Sequence, residues 1–386
     1  VSIISWPTSL STAAEFTIGQ QRYDVTESSD STGADAARLL GPPRWTVGLR
    51  SVEALNLTQA GAWEAMLLSL RGRVNHLALH DPVRAVPNGT LRGSPTLNAS
   101  ASAGATSIVL TGVRPTNNLL TQTRAFDASG WTAINGGTVT ANTATDPFGN
   151  VSADTLTDGN AGASAGRRQT VTVPNDSASY CYSLYVKKTS GGTSHTLQAQ
   201  LQFQGGSATS KVGRINTDLG TVLAGTGITV TDVDANWWRM SFAHTNDSSG
   251  NTTLRFDIFP AVNTYGGTTA DPADTGSAIV ACAQLEIGTT ASAYAPPTLL
   301  AGDWLQIGTG VGTSQLVKVT ADAVAAIDGT MTVSFEPPLR TAFASSTAVT
   351  WDKPVAYYKQ TSSPQWGYRA RMSTGYALDL LESWTA

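Results

Sequence analysis

"TLQAQLQFQ", residues 196–204, alternates without a fault. Leu197, Ala199, Leu201 and Phe203 are apolar, while Gln198, Gln200, Gln202 and Gln204 are amides. A period of two belongs to a β-strand, whose successive side chains point to opposite faces of a sheet. One face of this strand is therefore core, and the other is a row of glutamines. The same alternation runs outward on both sides. In "YCYSLYVKK", Tyr180, Tyr182, Leu184 and Val186 oppose Cys181, Ser183, Tyr185 and Lys187. In "TLRFDIF", Leu254, Phe256 and Ile258 oppose Arg255, Asp257 and Phe259. In "AIVACAQLEI", strict alternation sets Ile279, Ala281, Ala283, Leu285 and Ile287 against Val280, Cys282, Gln284 and Glu286. Short alternating runs bounded by Gly, Asn, Asp and Pro mark antiparallel β structure.

"DANWWRMSF", residues 234–242, places two tryptophans side by side. On a strand they point opposite ways. Trp238 shares a face with Met240 and Phe242, which assigns it to the core; Trp237 shares the other with Arg239 and Ser241 and is expected to be exposed. Planar aromatics, amides and a few charges on one sheet face suit sugars, because the ring covers the C–H face of a pyranose while amides and charges bond its hydroxyls. The candidate carbohydrate-binding residues are Trp237, Arg239, Tyr185, Gln200, Gln202, Asp257, Gln284 and Glu286. The plain alternative is a solvated outer face with scattered aromatics.

One segment breaks the β pattern. "LTQAGAWEAMLLSLRGR" spaces Ala60, Trp63, Leu67 and Leu70 as the apolar stripe of a helix, with Thr58 as N-cap and Gly72 as its stop. It lies between the strand-like "RWTVGLRSV" and "VNHLALHDP". Later, "DWLQIG", "QLVKVTAD", "MTVSFEPPL" and "AVTWDKP" read as the strands of a small barrel, with prolines at strand exits. Seams fall at "GVRPTNN" and "YAPPTL". Between them Leu is scarce and Thr, Asn and Gly abound. Residues 117–297 are read as one domain inserted into another built from 1–114 and 299–386, since insertions are tolerated at loop tips. Three domains in a row is the alternative.

Composition narrows the function. The 386 residues are 41% apolar and 13% charged, which excludes a disordered tail, and no apolar run is long enough to span a bilayer. Lys+Arg 24 against Asp+Glu 28 gives a net charge of −4 with no basic run, against a nucleic-acid partner. The start "VSIISWPTSLS" lacks the basic and apolar regions of a secretory signal. Cys181 and Cys282 lie far apart in sequence, so structural zinc is excluded; buried free thiols are favoured, with a disulfide left open. No cofactor is expected. "GASAG" (162–166) matches a nucleophile-elbow pattern around Ser164 but sits in a loop context. His76 and His80, four apart on a strand, are about 13 Å apart, too far to share a metal. Asp257 and Glu286, read onto the same polar face, are a candidate pair of catalytic carboxylates. A solvated or sugar-bonding role is preferred for them, and the chain is read as a non-enzyme.

Two resemblances add to this. "NNLLTQTRAFDASGWTAINGGTVTAN", "DPFGNVSADTLTD", "YSLYVKK", "ANWWRMSF" and "ACAQLEIGTTASAYAPP" together resemble the carbohydrate-binding-module-like jelly rolls inserted in phage tail proteins. The matching positions are Asn118–Leu120, Gly130 with Trp131, Ser183 with Lys187, the Trp237–Arg239 strand, Gln284–Glu286, and Tyr294 with Pro296. Where the pattern has Gly-Trp-aromatic-Arg this chain has "NWWR", which leaves both tryptophans as candidates for the exposed ring. The outer stretches "LTQAGAWEAMLLSLRGRVNHLALHDP", 301–359 and "GYALDLLESW" resemble the distal tail, or tail-tip, proteins of long-tailed bacteriophages. That resemblance implies a virion protein forming a ring, usually hexameric, between tail tube and tail hub. The insert would project outward and reach a host cell-surface polysaccharide. A stand-alone trimeric receptor-binding or fibre protein is the alternative, followed by a glycan-degrading enzyme. The expected fold is mainly β: a β-sandwich or barrel ring domain with one short helix, interrupted by an antiparallel jelly-roll sandwich.

Overall fold

The computed structural model describes residues 2–10, 14–28, 32, 35–52, 55–189, 195–263, 267–326, 329–363, 365–369 and 372–385. Strands take 51% of the chain and helix 5%, so the fold is mainly β. The first flank holds β1 (Ile3–Ser5), β2 (Ala14–Ser28), β3 (Asp35–Ser51), α1 (Leu57–Ser69), β4 (His76–Leu79), β5 (Leu91–Leu97) and β6 (Ser107–Pro115). The middle holds β7 (Thr132–Ile134), β8 (Thr138–Thr145), β9 (Val151–Asp158), β10 (Gly166–Thr172), β11 (Ser179–Lys187) and β12 (Thr196–Gln204). It continues with β13 (Thr209–Asn216), β14 (Val222–Ala224), β15 (Thr229–Asp232), β16 (Trp237–Thr245), β17 (Thr253–Phe259) and β18 (Gly276–Ile287). The last flank holds β19 (Thr298–Leu299), β20 (Trp304–Gly308), β21 (Ser314–Val319), β22 (Ala323–Val324) and β23 (Met331–Glu336). It ends with β24 (Val349–Thr350), β25 (Ala356–Gln360), β26 (Gln365–Arg369) and β27 (Met372–Glu382).

Both large sheets outside the middle section mix strands from the two flanks. One runs β1-β4-β25-β27-β3-β2, with β26 on β27; the other runs β24-β20-β21-β23-β6-β5. A bridge between Thr96 and Ala348 brings β5 back to the β24 end, so the second sheet nearly closes into a barrel. The barrel strands expected after residue 299 therefore need β5 and β6 from the other flank. The two flanks make two hydrophobic cores, one under α1 and one inside the barrel. The Trp45 ring meets Trp304 edge-on at 4.8 Å where the sheets adjoin.

Helix α1 lays Ala60, Trp63, Met66 and Leu67 on the first sheet, with Trp63 stacked on Tyr376 at 5.7 Å. Its N-cap is Asn56, not Thr58. The Asn56 side chain accepts from the Gln59 N–H at 2.9 Å and the Gln59 side chain accepts from the Asn56 N–H at 3.2 Å, a reciprocal box that places the cap two residues before Thr58. Arg71 and Gly72, at φ 49° and 68°, turn left-handed and end the helix.

The middle section is a sandwich of two six-stranded antiparallel sheets. The first, β14-β13-β12-β17-β10-β7, is called here the glutamine sheet; the second, β15-β16-β11-β18-β9-β8, the tryptophan sheet. The core between them holds Leu197, Ala199, Leu201 and Phe203 of β12, Tyr180, Tyr182, Leu184 and Val186 of β11, and Leu254, Phe256 and Ile258 of β17. Tyr182 stacks on Phe256 at 3.7 Å across the core, and Trp131 meets Phe256 edge-on at 5.6 Å. Asn118 tethers the entering chain to β18. Its Nδ2 donates to the Ala283 carbonyl at 3.0 Å and its Oδ1 accepts from the Leu285 N–H at 3.1 Å, so this buried amide acts as an added rung of the sheet.

Strict alternation fails in β18. Against β11 the register shifts between Ser183 and Tyr185, and Cys282 there has φ 50°. The extra residue is a β-bulge, and it reverses which side chains face the core. Ala278, Val280, Ala283 and Leu285 are in the core, whereas Ala281 and Cys282 are on the far side and Ile287 is exposed. Both cysteines are free and buried; burial pushes the Cys181 thiol up to about 11 and the Cys282 thiol up to about 12.

Candidate functional site

The eight candidate residues do not form one site. Tyr185, Trp237, Arg239, Gln284 and Glu286 line the outer face of the tryptophan sheet, and Gln200, Gln202 and Asp257 the outer face of the glutamine sheet. The whole core lies between the two sets. Asp257 and Glu286 consequently cannot act as the paired carboxylates of one catalytic centre. "GASAG" runs from the loop after β9 into the first residue of β10, so a strand rather than the helix an elbow needs follows it. Among the described residues, no group of three or more His, Cys, Asp or Glu side chains is placed to hold a metal ion.

Two features of the tryptophan sheet's outer face differ from expectation. First, Trp237 is 2% exposed, not an open ring. It belongs to a second apolar cluster with Ala153, Tyr185, Ala281, Cys282 and Tyr294. Second, the polar residues of this face are spent on the chain's exit toward the last flank. Glu286 Oε2 accepts from the Ser292 N–H at 2.8 Å, its Oε1 accepts from the Ser292 hydroxyl, and Gln284 Nε2 donates to Ser292 Oγ at 3.0 Å. Arg239 Nη2 donates to Ser183 Oγ at 2.8 Å and to the Ser292 carbonyl. Tyr294, two residues on, shares a hydrogen bond with Thr123 at 2.8 Å and packs under Phe148 at 5.5 Å. Arg239, Gln284 and Glu286 thus fasten residues 288–297 across the sheet, and Tyr185 and Trp237 cluster with Tyr294 beneath them. Periodicity placed Trp237 on the correct face but could not show what covers that face.

Trp238 is the half-exposed one, on the core side at the sandwich edge. Lys188 Nζ lies 3.9 Å from its ring centroid, while Nε1 donates to the Thr217 carbonyl at 3.3 Å. Gly220, at φ +64°, lies so close that a Cβ there would meet the ring at 2.7 Å. A sugar stacking on Trp238 would have to displace these contacts. Neither tryptophan is a free platform.

The outer face of the glutamine sheet is built differently. The register aligns Arg168, Asp257, Gln200 and Val212 in one row across β10, β17, β12 and β13, and Thr170, Arg255, Gln202 and Ser210 in the next. Gln198 and Arg214 pair in a third row, beside Phe259. Arg168 grips Asp257 with both prongs, Nε to Oδ1 at 2.6 Å and Nη2 to Oδ2 at 2.7 Å. Burial nevertheless raises the Asp257 carboxyl above the usual carboxylate value, against the pull of Arg168. Arg214 Nε donates to Gln198 Oε1 at 2.7 Å, and its Nη1 to the Thr268 carbonyl at 2.9 Å. Gln202 accepts from Gln204 at 3.4 Å. Among the described residues, Thr268 reaches over the Arg214 end of this face, and no returning segment is hydrogen-bonded to Gln200, Gln202 or Arg255. Phe259 is the one aromatic of these strands on it, and it is 8% exposed. Arg168 and Arg214 were missed from the sequence because "RRQTVTV" alternates only at Val171 and Val173 and "SKVGRIN" shows no apolar alternation. Only the pairing of β10 with β17, and of β13 with β12, sets them beside Asp257 and Gln198.

No protein-family model and no curated protein matches the chain. Among solved structures it is similar to the enzymatically active domain of bacteriophage CBA120 tailspike protein 4, at 14% identity over 45% of this chain and 21% of that one, with a TM-score of 0.28. It is similar to the CBM22-1 xylan-binding domain of Paenibacillus barcinonensis Xyn10C, at 19% identity over 50% of this chain and 99% of that one, with a TM-score of 0.28. The CBM22-1–CBM22-2 tandem of the same protein aligns at 12% identity over 74% of this chain and 99% of that one, with a TM-score of 0.30. At such TM-scores these likenesses carry no argument about function.

Proposed function

We propose that this chain is a non-catalytic structural protein of a bacteriophage tail tip. In this reading the two flanks assemble copies into a ring, hexameric by its resemblance to distal tail proteins, between tail tube and tail hub. The sandwich is displayed at the ring's edge, where the outer face of the glutamine sheet touches host-surface polysaccharide. Several weak copies around one ring would bind through avidity.

The observation that carries the ring is the β2–β3 hairpin. β3 pairs with β27 only over Thr46–Arg50, while β2 pairs with β3 from Ala14 to Ser28. The far part, Arg22–Ser28 against Asp35–Leu40, is therefore a two-stranded arm extending about 20 Å beyond its own sheet at ~3.3 Å per residue. Val25 and Leu40 stand exposed on it, and β2 is a sheet edge with unpaired backbone groups. An isolated two-stranded ribbon is marginal in water, so an arm of this length gains most by lying on a neighbouring copy.

Native mass spectrometry of the full chain tests this. The expected result is a closed oligomer of six that falls to monomer, with unchanged melting, when residues 22–41 are replaced by a tight turn. Three copies would favour the fibre reading, and a monomer at all concentrations would remove the ring.

A further inference from the structure

We propose that the polysaccharide bound on the glutamine sheet is acidic, and that Arg255 takes its anionic groups, uronate carboxylates or backbone phosphates. This rests on the reading of the sandwich as a polysaccharide-binding module.

The argument begins with charge. The side chains that alternate onto this face of β10, β12, β13 and β17 include three guanidiniums, Arg168, Arg214 and Arg255, and a single carboxylate, Asp257. The chain as a whole carries −4, so this patch runs against the sign of the molecule. The one carboxylate is already engaged, since both of its oxygens accept from Arg168. Arg255 comes only within 3.7 Å of Asp257 Oδ2, beyond a good hydrogen bond. Its Nε is buried and has no acceptor. The Nε is enclosed, so an arriving oxygen would meet the Nη groups, of which Nη2 comes only within 3.7 Å of Asp257. Arg255 is 19% exposed, which leaves its guanidinium within a ligand's reach.

Shape points the same way. Among the described residues the face offers no open aromatic ring, so the contacts argued here are not stacking. What it offers is a planar cationic fork with amides beside it. Gln202 sits opposite Arg255 on the adjacent strand, and Gln200 sits opposite Asp257. Strands are about 4.8 Å apart, close to the spacing between a sugar's acidic group and its ring hydroxyls. Charge-assisted bonds from a guanidinium are the strong kind, and the amides would take the hydroxyls.

The test is isothermal titration of the full chain with three polymers: polygalacturonate, its fully methyl-esterified form, and poly(glycerol phosphate). Each is run with wild type, Arg255→Gln, Arg255→Lys and the double variant Gln200→Ala/Gln202→Ala, with melting curves to show that each variant is folded. The inference expects binding to one or both anionic polymers and none to the methyl ester. Affinity should fall at least about tenfold in Arg255→Gln, less in Arg255→Lys, and fall again between about 0.05 M and 0.3 M salt. Which anionic polymer binds tells carboxylate from phosphate. Equal binding of acid and methyl ester, insensitive to Arg255 but lost in the glutamine variant, would overturn the acidic ligand while keeping the polysaccharide reading. Acid binding unchanged in a folded Arg255→Gln protein would overturn the role of Arg255. No binding of any polymer by folded wild type would overturn both readings.

Discussion

The sandwich has two outer faces that look alike in sequence and differ in structure. Each carries amides, a carboxylate and an arginine at period-two spacing. On the tryptophan sheet they fasten residues 288–297 across the face, and Trp237 is sealed beneath. On the glutamine sheet, among the described residues, the return is confined to Thr268 at the Arg214 end, and Arg255 comes only within 3.7 Å of Asp257. A polar residue on a sheet becomes part of the fold or part of a binding surface according to what the chain does after leaving the sheet.

The comparison breaks most easily at Trp237. Trp237→Ala should destabilise the sandwich by about 3–5 kcal/mol, as for other buried aromatics, while Gln200→Ala on the opposite face should change stability by less than about 0.5 kcal/mol. Urea unfolding of the two variants measures both, and similar midpoints would end the distinction between a covered and an open face. Next in size is the fastening itself. Glu286→Ala leaves the Ser292 N–H and hydroxyl without their acceptor and should cost about 1–3 kcal/mol. Hydrogen exchange at Ser292 should rise sharply in that variant and stay slow in Gln202→Ala.

Acid sharpens the comparison. Burial, the largest influence, lowers the His244 pKa in the sandwich and the His76 pKa in the first outer sheet. A histidine whose folded pKa lies below its unfolded value takes up protons preferentially when unfolded. Its contribution is whole above the unfolded pKa of 6.5 and is lost as pH falls from there through the folded pKa. Asp257 has the opposite sign. Its raised carboxyl makes the folded state gain stability as pH falls through the folded pKa toward 3.8. Wild type minus His244→Gln should therefore lose stability as pH falls below 6.5, and wild type minus Asp257→Asn should gain it as pH falls toward 3.8. Equal slopes for the two differences would refute the assignment. The smallest effect is expected at the sandwich edge. Lys188→Met should cost about 0.5–1 kcal/mol and shift tryptophan emission, because the ammonium at 3.9 Å leaves the Trp238 ring.

The strands and their core faces were legible wherever the alternation ran unbroken, as in β11, β12 and β17. Local sterics alone sets that period. It failed in β18, where "ACA" carries no glycine to announce the bulge at Cys282. The helix was legible from its stripe, and its cap is written in the sequence as Asn56 followed three residues later by Gln59, a pattern that the reading of Thr58 as cap passes over. Of the candidate site, Gln200, Gln202 and Asp257 were found from the sequence, and Arg255 was placed on the same polar face without being chosen. Arg168 and Arg214 needed strand pairing, with partners 89 and 16 positions away.

By itself the sequence determined that this chain is mainly β, which segment is helical, and which way each side chain of an unbroken strand points. These follow from backbone geometry and apolar spacing within a dozen residues. The tertiary structure decided which sheet each strand joined, that β5 and β6 complete a barrel begun two hundred residues later, and which polar face stayed open. Those outcomes depend on pairing between distant strands and on the path of a connecting segment, and neither leaves a mark in local sequence. Trp237 and Trp238 adjoin in the chain, and only the path of residues 288–297 decided that the first would be sealed and the second left at the edge.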